Sequence, residues 1–439
     1  MIAALIVFAL TYVLMLSFQN IRPWVALGSA AAMIVMGYMG VFEMNIGSAL
    51  ASVDYNVLIM IASTMGTVSL FIESRMPGRL AEILMTKVPN VMWAVLALSV
   101  FAGIVSAFVD NVATVLMVVP VALAISNKLK ISPVPMIISI AVSSNLQGAA
   151  TLVGDTTSIL LGGFAGMNFM DFFWMEGKPG IFWAVELGAL ASALVLLLLF
   201  RKDKSPVSCE VETVVEDYFP SYLMVGTVVF LILASFLPEP DGGALLTLYN
   251  MRSGLVCLVL FLVGLVRACL REKSYNPFKR VMAEMDYQTL LLLFGLFMVI
   301  EGIRSAGVID LIAQLFYKFG GNNPFMLYTA IVVVSVILSA FIDNIPYVAT
   351  MLPVIQSLAM MMNGGAGADP NVFYFGLLTG ATLGGNLTPV GASANITAIG
   401  ILRKNGETVT TADFLRIGVP FTLSAVICGY AFIWLFWGI

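Results

Sequence analysis

A chain of 439 residues that is 60% hydrophobic and only 10% charged, with a mean hydropathy of +1.00, carries more apolar surface than a water-soluble core can enclose. Histidine is absent, and Cys209, Cys257, Cys269 and Cys428 show no CxxC or metal-ligand spacing, so zinc, haem, a Cys-His nucleophile or a disulfide scaffold has nothing to be built from. The net charge of −4 belongs mostly to loops, no basic run suits nucleic acid, and no GxSxG or P-loop is present; the composition describes a multi-pass membrane protein that is not an enzyme.

A bilayer core of ~30 Å needs roughly 20 apolar residues per helix. The opening segment, Met1 to Ser17, lacks a positive n-region and a small-residue cleavage site, and is expected to be a retained helix. Apolar runs follow at about Arg22 to Gly40, Asn56 to Glu73, Trp93 to Val109, Ile181 to Phe200, Tyr222 to Leu237, Gly254 to Leu270, Leu290 to Ile303, Met326 to Ile342 and Phe414 to Phe436. With the shorter, broken stretches between them, they predict ten to twelve spans. Lys202 to Phe219, the longest polar stretch, is the expected cytoplasmic linker between two halves. Arg201, Lys202, Lys204 and the cluster Arg267, Arg271, Lys273, Lys279, Arg280 mark the cytoplasmic side. The loop Val41 to Tyr55 has no Lys or Arg, whereas its counterpart before Leu290 is Arg-rich; the two halves are therefore expected to run in opposite directions through the membrane.

The halves also share words. SAFVDN at Ser106 to Asn111 returns as SAFIDN at Ser339 to Asn344, and each copy continues to a proline at the same distance, Pro120 or Pro353. GAATLVGDTTS from Gly148 returns as GGNLTPVGASAN from Gly384, at a nearly equal separation that sets Thr151 on Thr388 and Gly154 on Gly391. Polar, Gly-interrupted breaks at matching places in apolar segments are the mark of a secondary transporter with its site near the bilayer midplane. The predicted fold is all-α, with two inverted repeats, each holding a re-entrant helical hairpin and a broken transmembrane helix. The first repeat is placed at 1–201, with its hairpin at about 111–147 and broken helix at about 148–166. The linker occupies 202–219. The second repeat is placed at 220–439, with its hairpin at about 344–383 and broken helix at about 384–402.

DNVATVLMVVP, GAATLVGD, SAFIDNIPYVATMLP and GGNLTPVGASAN resemble the ArsB/P-protein branch of the ion transporter superfamily, and more faintly the NhaD-type sodium/proton antiporters and the dicarboxylate and citrate permeases. The resemblance implies a homodimer in the cell membrane, with a scaffold domain and a transport domain that moves elevator-fashion. It implies coupling to protons or to Na⁺, and it places Asn111 and Asn344 near the bound ion or solute. Carboxylate permeases carry Ser-Asn-Thr at the hairpin tips, where this chain has Asp110, Asn111, Val112 and Asp343, Asn344, Ile345.

Asp155 is the leading coupling residue. An ionisable side chain in the membrane interior is costly and marks function by default, and the second half has Ala392 in its place. Its structural alternative is to cap the half-helix that begins at Thr156. Asp110 and Asp343 occur in both halves and are candidates both for helix capping and for coupling. Thr114, Thr151, Thr156, Thr388, Ser393 and Asn395 offer oxygen ligands, and Gly154 and Gly391 permit close backbone approach. A Na⁺ ion near Asp110, Asn111, Asp343 and Asn344 is the metal compatible with this set; no other cofactor is expected.

Between Ser106 and Asp171 the only cations are Lys128 and Lys130, and between Ser339 and Leu402 there are none. Such a site suits a cation or a neutral polyhydroxyl solute better than a multiply charged anion. The sequence reading is therefore proton-coupled export of arsenite and antimonite, with a sodium/proton antiporter or a Na⁺-coupled carboxylate transporter as alternatives. A separate cytosolic ATPase subunit remains compatible with the chain.

Overall fold

In the computed structural model, which describes residues 1–207, 209–365 and 367–438, the chain is a helical membrane protein. Helices α1 Ile2–Ser17, α2 Arg22–Tyr38, α3 Ile46–Ala51, α4 Tyr55–Glu73, α5 Met76–Met85, α6 Val91–Ser106, α7 Asn111–Leu129, α8 Val134–Gly148, α9 Thr156–Ala165 and α10 Ile181–Phe200 precede the polar linker. After it come α11 Phe219–Ser235, α12 Ala244–Asn250, α13 Arg252–Glu272, α14 Asn276–Glu284, α15 Tyr287–Ser305, α16 Val308–Gly320, α17 Pro324–Ser339, α18 Asn344–Met361, α19 Asn371–Leu378, α20 Ser393–Lys404 and α21 Thr411–Trp437. The only strands among the described residues form the small hairpin Trp174–Met175 with Lys178–Pro179. Six of these helices, α4, α7, α10, α13, α15 and α21, are long and apolar enough to cross a bilayer.

Polar side chains start the corresponding helices of the two halves in the same way. Asp54 accepts from the Val57 amide at 3.0 Å to open α4, and Asp286 accepts from the Thr289 amide at 3.1 Å to open α15. Asn90 caps α6 through the Trp93 amide, and Asn323 caps α17 through the amides of Phe325 and Met326. Asp110 caps α7 and Asp343 caps α18. Each cap satisfies amides that have no partner within their own helix. Pro120 and Pro353 lie inside α7 and α18 rather than at their ends. These helices continue through them, and the missing proline donor frees the carbonyl one turn back, at Leu116 and Ala349.

Small residues let neighbouring helices meet. α2 lies along α15, where a Cβ on Gly302 would stand 2.9 Å from Met33 Cβ and one on Gly295 2.8 Å from the Leu27 nitrogen. α13 lies along α4 in the same manner, with Gly254 against Asn56 and Gly264 against Leu70. α10 and α21 form a third close pair. Most buried side chains make one large core, with two small clusters beside it, one around Phe261 and one around Ala26.

The two halves are joined at the centre by amides. Asn145, fully buried at the end of α8, donates to the Thr382 carbonyl at 2.8 Å and to Asn386 Oδ1 at 3.1 Å. Asn386 donates to the Val142 carbonyl at 2.9 Å, and Asn111 donates to Asn145 Oδ1 at 3.0 Å. Beyond α19 the helix widens into a π-turn at Thr379–Leu383, the kind of local widening that recurs at functional sites.

Side-chain contacts tie the linker to the helices beside it. Glu82 accepts from the amides of Glu212 and Thr213 at 3.0 and 2.9 Å, while Asp217 pairs with Arg267 at 2.5 Å and Arg271 at 2.9 Å. Partial burial alone would raise the Asp217 carboxyl, but the two guanidiniums hold it below its ordinary value.

Two outcomes follow for stability. Gly302→Leu, by forcing α2 off α15, should destabilise the protein by roughly 1–3 kcal/mol, as overpacking does, seen as a lower thermal midpoint in detergent. Asn145→Leu should cost about 1–3 kcal/mol because it leaves buried amides without partners, and a further Asn386→Leu should cost less than it does alone.

Candidate functional site

Each half contains a helix that stops inside the protein and restarts. α8 ends at Gly148 and α9 begins at Thr156; the π-turn after α19 passes through a short helical turn at Gly385–Leu387, and α20 begins at Ser393. The breaks are thus narrower than the polar words that announce them, since Gly148 still belongs to α8 and Thr156 and Ser393 already open α9 and α20. Both breaks are closed by the same contacts. The Thr151 hydroxyl donates to the Ala107 carbonyl and the Thr388 hydroxyl to the Ala340 carbonyl. A Cβ on Gly154 would lie 2.6 Å from the Gly148 oxygen and 2.8 Å from those of Ser106 and Ala107. On Gly391 it would lie 2.5 Å from the Gly385 oxygen, 2.9 Å from that of Ser339 and 3.0 Å from that of Ala340. Only glycine fits either place. Ser158 donates to the Gly148 carbonyl at 3.3 Å, and Asn395, at the matching position, to the Gly385 carbonyl at 3.1 Å.

The turns that carry the Asp-Asn pairs join α6 to α7 and α17 to α18. They meet the breaks at a cavity of about 370 Å³. Of the residues singled out in the sequence, Asp110, Asn111, Asp155, Thr156, Asp343, Asn344 and Ser393 line it. Thr114, Thr151, Gly154, Thr388, Gly391 and Asn395 stand behind it and shape the backbone. The α7–α8 turn lies elsewhere, with Asn127, Lys128 and Lys130 exposed, as their polar groups require. In the second half the α18–α19 connection includes Ala366, which lies outside the described residues.

Asp155 is only 6% exposed. It stands at the N-cap position of α9, yet its carboxylate does not cap the helix. It accepts instead from the Thr157 hydroxyl at 2.9 Å, which contacts the Thr382 hydroxyl of the other half at 3.0 Å. The capping alternative does describe Asp110, which accepts from the amides of Val112 and Ala113 at 3.0 and 3.1 Å, and Asp343, which accepts from Ile345 at 3.1 Å. The Asn344 amide is oriented with its nitrogen toward the carbonyls of Ala381 and Gly391, at 3.2 and 3.3 Å, because the reverse would set its oxygen against acceptors. Behind the site, the Thr114 and Ser106 hydroxyls and the Asn395 Oδ1 are buried without a hydrogen-bond partner.

The structure adds residues that motif reading passes over. Glu284, the last residue of α14, and Asp286, the cap of α15, line the same cavity, bringing its carboxylates to five with Asp110, Asp155 and Asp343. Glu284 accepts from the Ser69 hydroxyl. Arg22, at the start of α2, donates to Asp343 at 2.8 Å, with side chains 16% and 12% exposed. It corrects the expectation of a site without a cation, because the arginine comes from far away in sequence. The available signal was its isolation: Arg22 is the only charged side chain before Glu43. Asn145, Asn386, Thr157 and Thr382 were likewise legible only as hydroxyl and amide residues in apolar surroundings. Among the described residues no group of three or more Asp, Glu or Cys is arranged to hold a metal ion.

Residues 12–380 match the family described as CitMHS, citrate transporter. An uncharacterized transporter of Mycobacterium tuberculosis (strain ATCC 25618 / H37Rv) is 30% identical over 99% of this chain and 98% of its own length. The human P protein is 24% identical over 93% of this chain and 56% of its own length. Among solved structures, the YdaH transporter of Alcanivorax borkumensis superposes with a TM-score of 0.59 at 14% identity, covering 92% of this chain and 88% of that one. The antimetabolite efflux pump MtrF of Neisseria gonorrhoeae does so with 0.57 at 14%, covering 92% and 83%; both likenesses concern the fold. Broken helices around an acid-lined cavity, a family match over most of the length and a full-length transporter relative lead to one statement: the chain belongs to the citrate transporter family of the ion transporter superfamily.

Proposed function

We propose that this protein is a proton-coupled secondary transporter of the cell membrane in which Asp155 carries the proton and the 370 Å³ cavity holds the solute. The observation that carries this reading is Asp155 itself: a buried carboxylate facing the cavity, held by one hydroxyl and engaged in no cap, at a position where the other half has alanine. In such a place a proton and a solute compete for the same oxygen atoms.

The architecture assigned to this function is a pair of inverted repeats, 1–201 and 220–439, joined by the linker 202–219. Matched caps, matched glycines and matched hydroxyl contacts support the pairing. The paired α2/α15 and α4/α13 form the scaffold, and α6–α9 with α17–α20 form the transport domain, which moves against it elevator-fashion. The cavity is bordered by Glu284 and Asp286, next to the Lys- and Arg-rich α13–α14 segment, so this conformation is assigned as open to the cytoplasm. The homodimer follows from the resemblance alone.

For the solute, charge decides. At an effective dielectric of 20, a carboxylate ~6 Å from another unit negative charge is disfavoured by about 3 kcal/mol, and five carboxylates face one arginine here. Arsenous and antimonous acids are neutral and offer O–H donors to these oxygens; their export in exchange for protons is the leading reading. The family match favours a second, a carboxylate such as citrate, which in this cavity would have to enter with a neutralising cation. Na⁺ held by Asp110, Asn111, Asp343 and Asn344 would serve that purpose, or would itself be the cargo of an antiporter.

The test is flux into proteoliposomes under an imposed pH gradient, comparing arsenite, Na⁺, and citrate with and without Na⁺ or Mg²⁺. Gradient-driven arsenite accumulation is expected, with Asp155→Asn reducing it at least tenfold at unchanged protein yield. Asn111→Ala and Asn344→Ala are expected to raise the half-saturating solute concentration several-fold. Normal gradient-driven transport by Asp155→Asn would remove the proton-carrier role, and citrate flux that requires a cation would move the substrate to the second reading.

A further inference from the structure

Two cavities flank α4 and α15, and they correspond position by position when the two helices are aligned on their capping residues Asp54 and Asp286. Ser69 and Ile72 of α4 wall the cavity described above, and Glu301 and Arg304, at the same positions of α15, wall a second one of about 470 Å³. Asp286 and Thr289 border the first, and Asp54 and Val57 occupy the matching places in the second. They differ in what the transport helices show them. The first reaches both Asp-Asn turns, whereas the second meets Ala349, Leu352 and Pro353, one to three turns farther along α18.

The arginines follow the same correspondence. Arg22 opens α2 in the first half, and Arg252 opens α13 in the second. α2 lies along α15 as α13 lies along α4, so each arginine stands at the equivalent end of an equivalent helix pair. Arg22 holds Asp343 at 2.8 Å and donates to the Met15 carbonyl at 3.1 Å. Arg252 has no ion-pair partner among the described residues; it donates to the Tyr249 carbonyl at 2.9 Å and lies 4.0 Å over the Tyr249 ring. Asp110, the counterpart of Asp343, also has no ion-pair partner there.

Arg252 and Asp110 are not neighbours in this conformation. Gly254 packs on Asn56 at one end of α4, and Asp110 shares its cavity with Ser69 and Ile72 near the other. The helical stretch from Asn56 to Ser69 is about 20 Å long.

We propose that Arg22 and Arg252 are alternating positioning residues: Arg22 holds Asp343 in the conformation seen here, and Arg252 takes Asp110 when the second cavity opens onto the turns. The proposal rests on the alternating-access reading above and adds its two end-state contacts. In each state one turn carboxylate is neutralised by the scaffold and the other faces the solute.

The experiment uses the full chain with its four cysteines replaced by serine and a single reporter, Thr289→Cys in the first cavity or Ser52→Cys in the second. Labelling rates with a membrane-impermeant thiol reagent are read in vesicles of both orientations. Arg22→Gln should slow labelling at position 289 and speed it at position 52, each at least threefold; Arg252→Gln should do the reverse, and Arg252→Lys should restore the original rates. A chain carrying Arg252→Cys with Asp110→Cys as its only cysteines should be joined, under the solute and pH gradient that open the second cavity, by a bifunctional thiol reagent long enough to replace the two side chains, a span that a direct disulfide does not reach. If solute and pH gradient exchange the two rates but Arg252→Gln leaves them unchanged and the cross-link does not form, the latch pair is overturned while alternating access stands. If no condition exchanges the rates in the chain with both arginines intact, alternating access fails and the proposal falls with it.

Discussion

A helix that stops inside a bilayer leaves amides and carbonyls with no water to receive them, and each unpaired group there costs several kcal/mol. The architecture of this protein is organised around meeting that demand twice. The Thr151 and Thr388 hydroxyls, the Ser158 and Asn395 side chains and the Asp110 and Asp343 caps close the two breaks and the two turns that meet them. Because the chain must pass within contact distance of itself, Gly154 and Gly391 have no room for a Cβ. Once these groups are satisfied by protein, the space left between breaks and turns can be polar and wet without exposing backbone to lipid.

Within that frame, the two halves differ. The first break is wholly buried and holds Asp155, while the second is partly open, with Val390 and Ser393 exposed and Ala392 at the matching place. On the reading proposed above, Asp155 exchanges the proton in the first break, while the second break has no carboxylate at the matching place. The carboxylates of Glu284 and Asp286 extend the same negative character toward the mouth, which raises the local concentration of cations and disfavours free polyanions.

Much of this was legible in the amino-acid sequence because it is written as local words. SAFVDN with SAFIDN, and the two Gly-Thr-Gly breaks, identify the turns, the breaks and the lining residues Asp110, Asn111, Asp155, Asp343 and Asn344, and the lack of histidine and paired cysteines narrows the chemistry. What stayed hidden depends on long-range packing. Arg22 reaches Asp343 across 321 residues, and Asn145 meets Asn386 across 241; no local pattern encodes either partner. Asp286 caps α15, yet its second place, at the cavity wall, depends on where α15 starts in space. Asp155 looked like a cap by position, and only the geometry of its carboxylate, turned to Thr157, separates the two roles.

The central claim, that a proton and the solute compete for Asp155, is tested most directly by adding solute to purified protein in weakly buffered detergent solution and recording proton exchange. The account predicts that arsenite, or citrate with its cation, releases protons from the unaltered chain and from Asp217→Asn, and releases none from Asp155→Asn. Equal proton release from Asp155→Asn would contradict it and place the coupling at another carboxylate of the cavity.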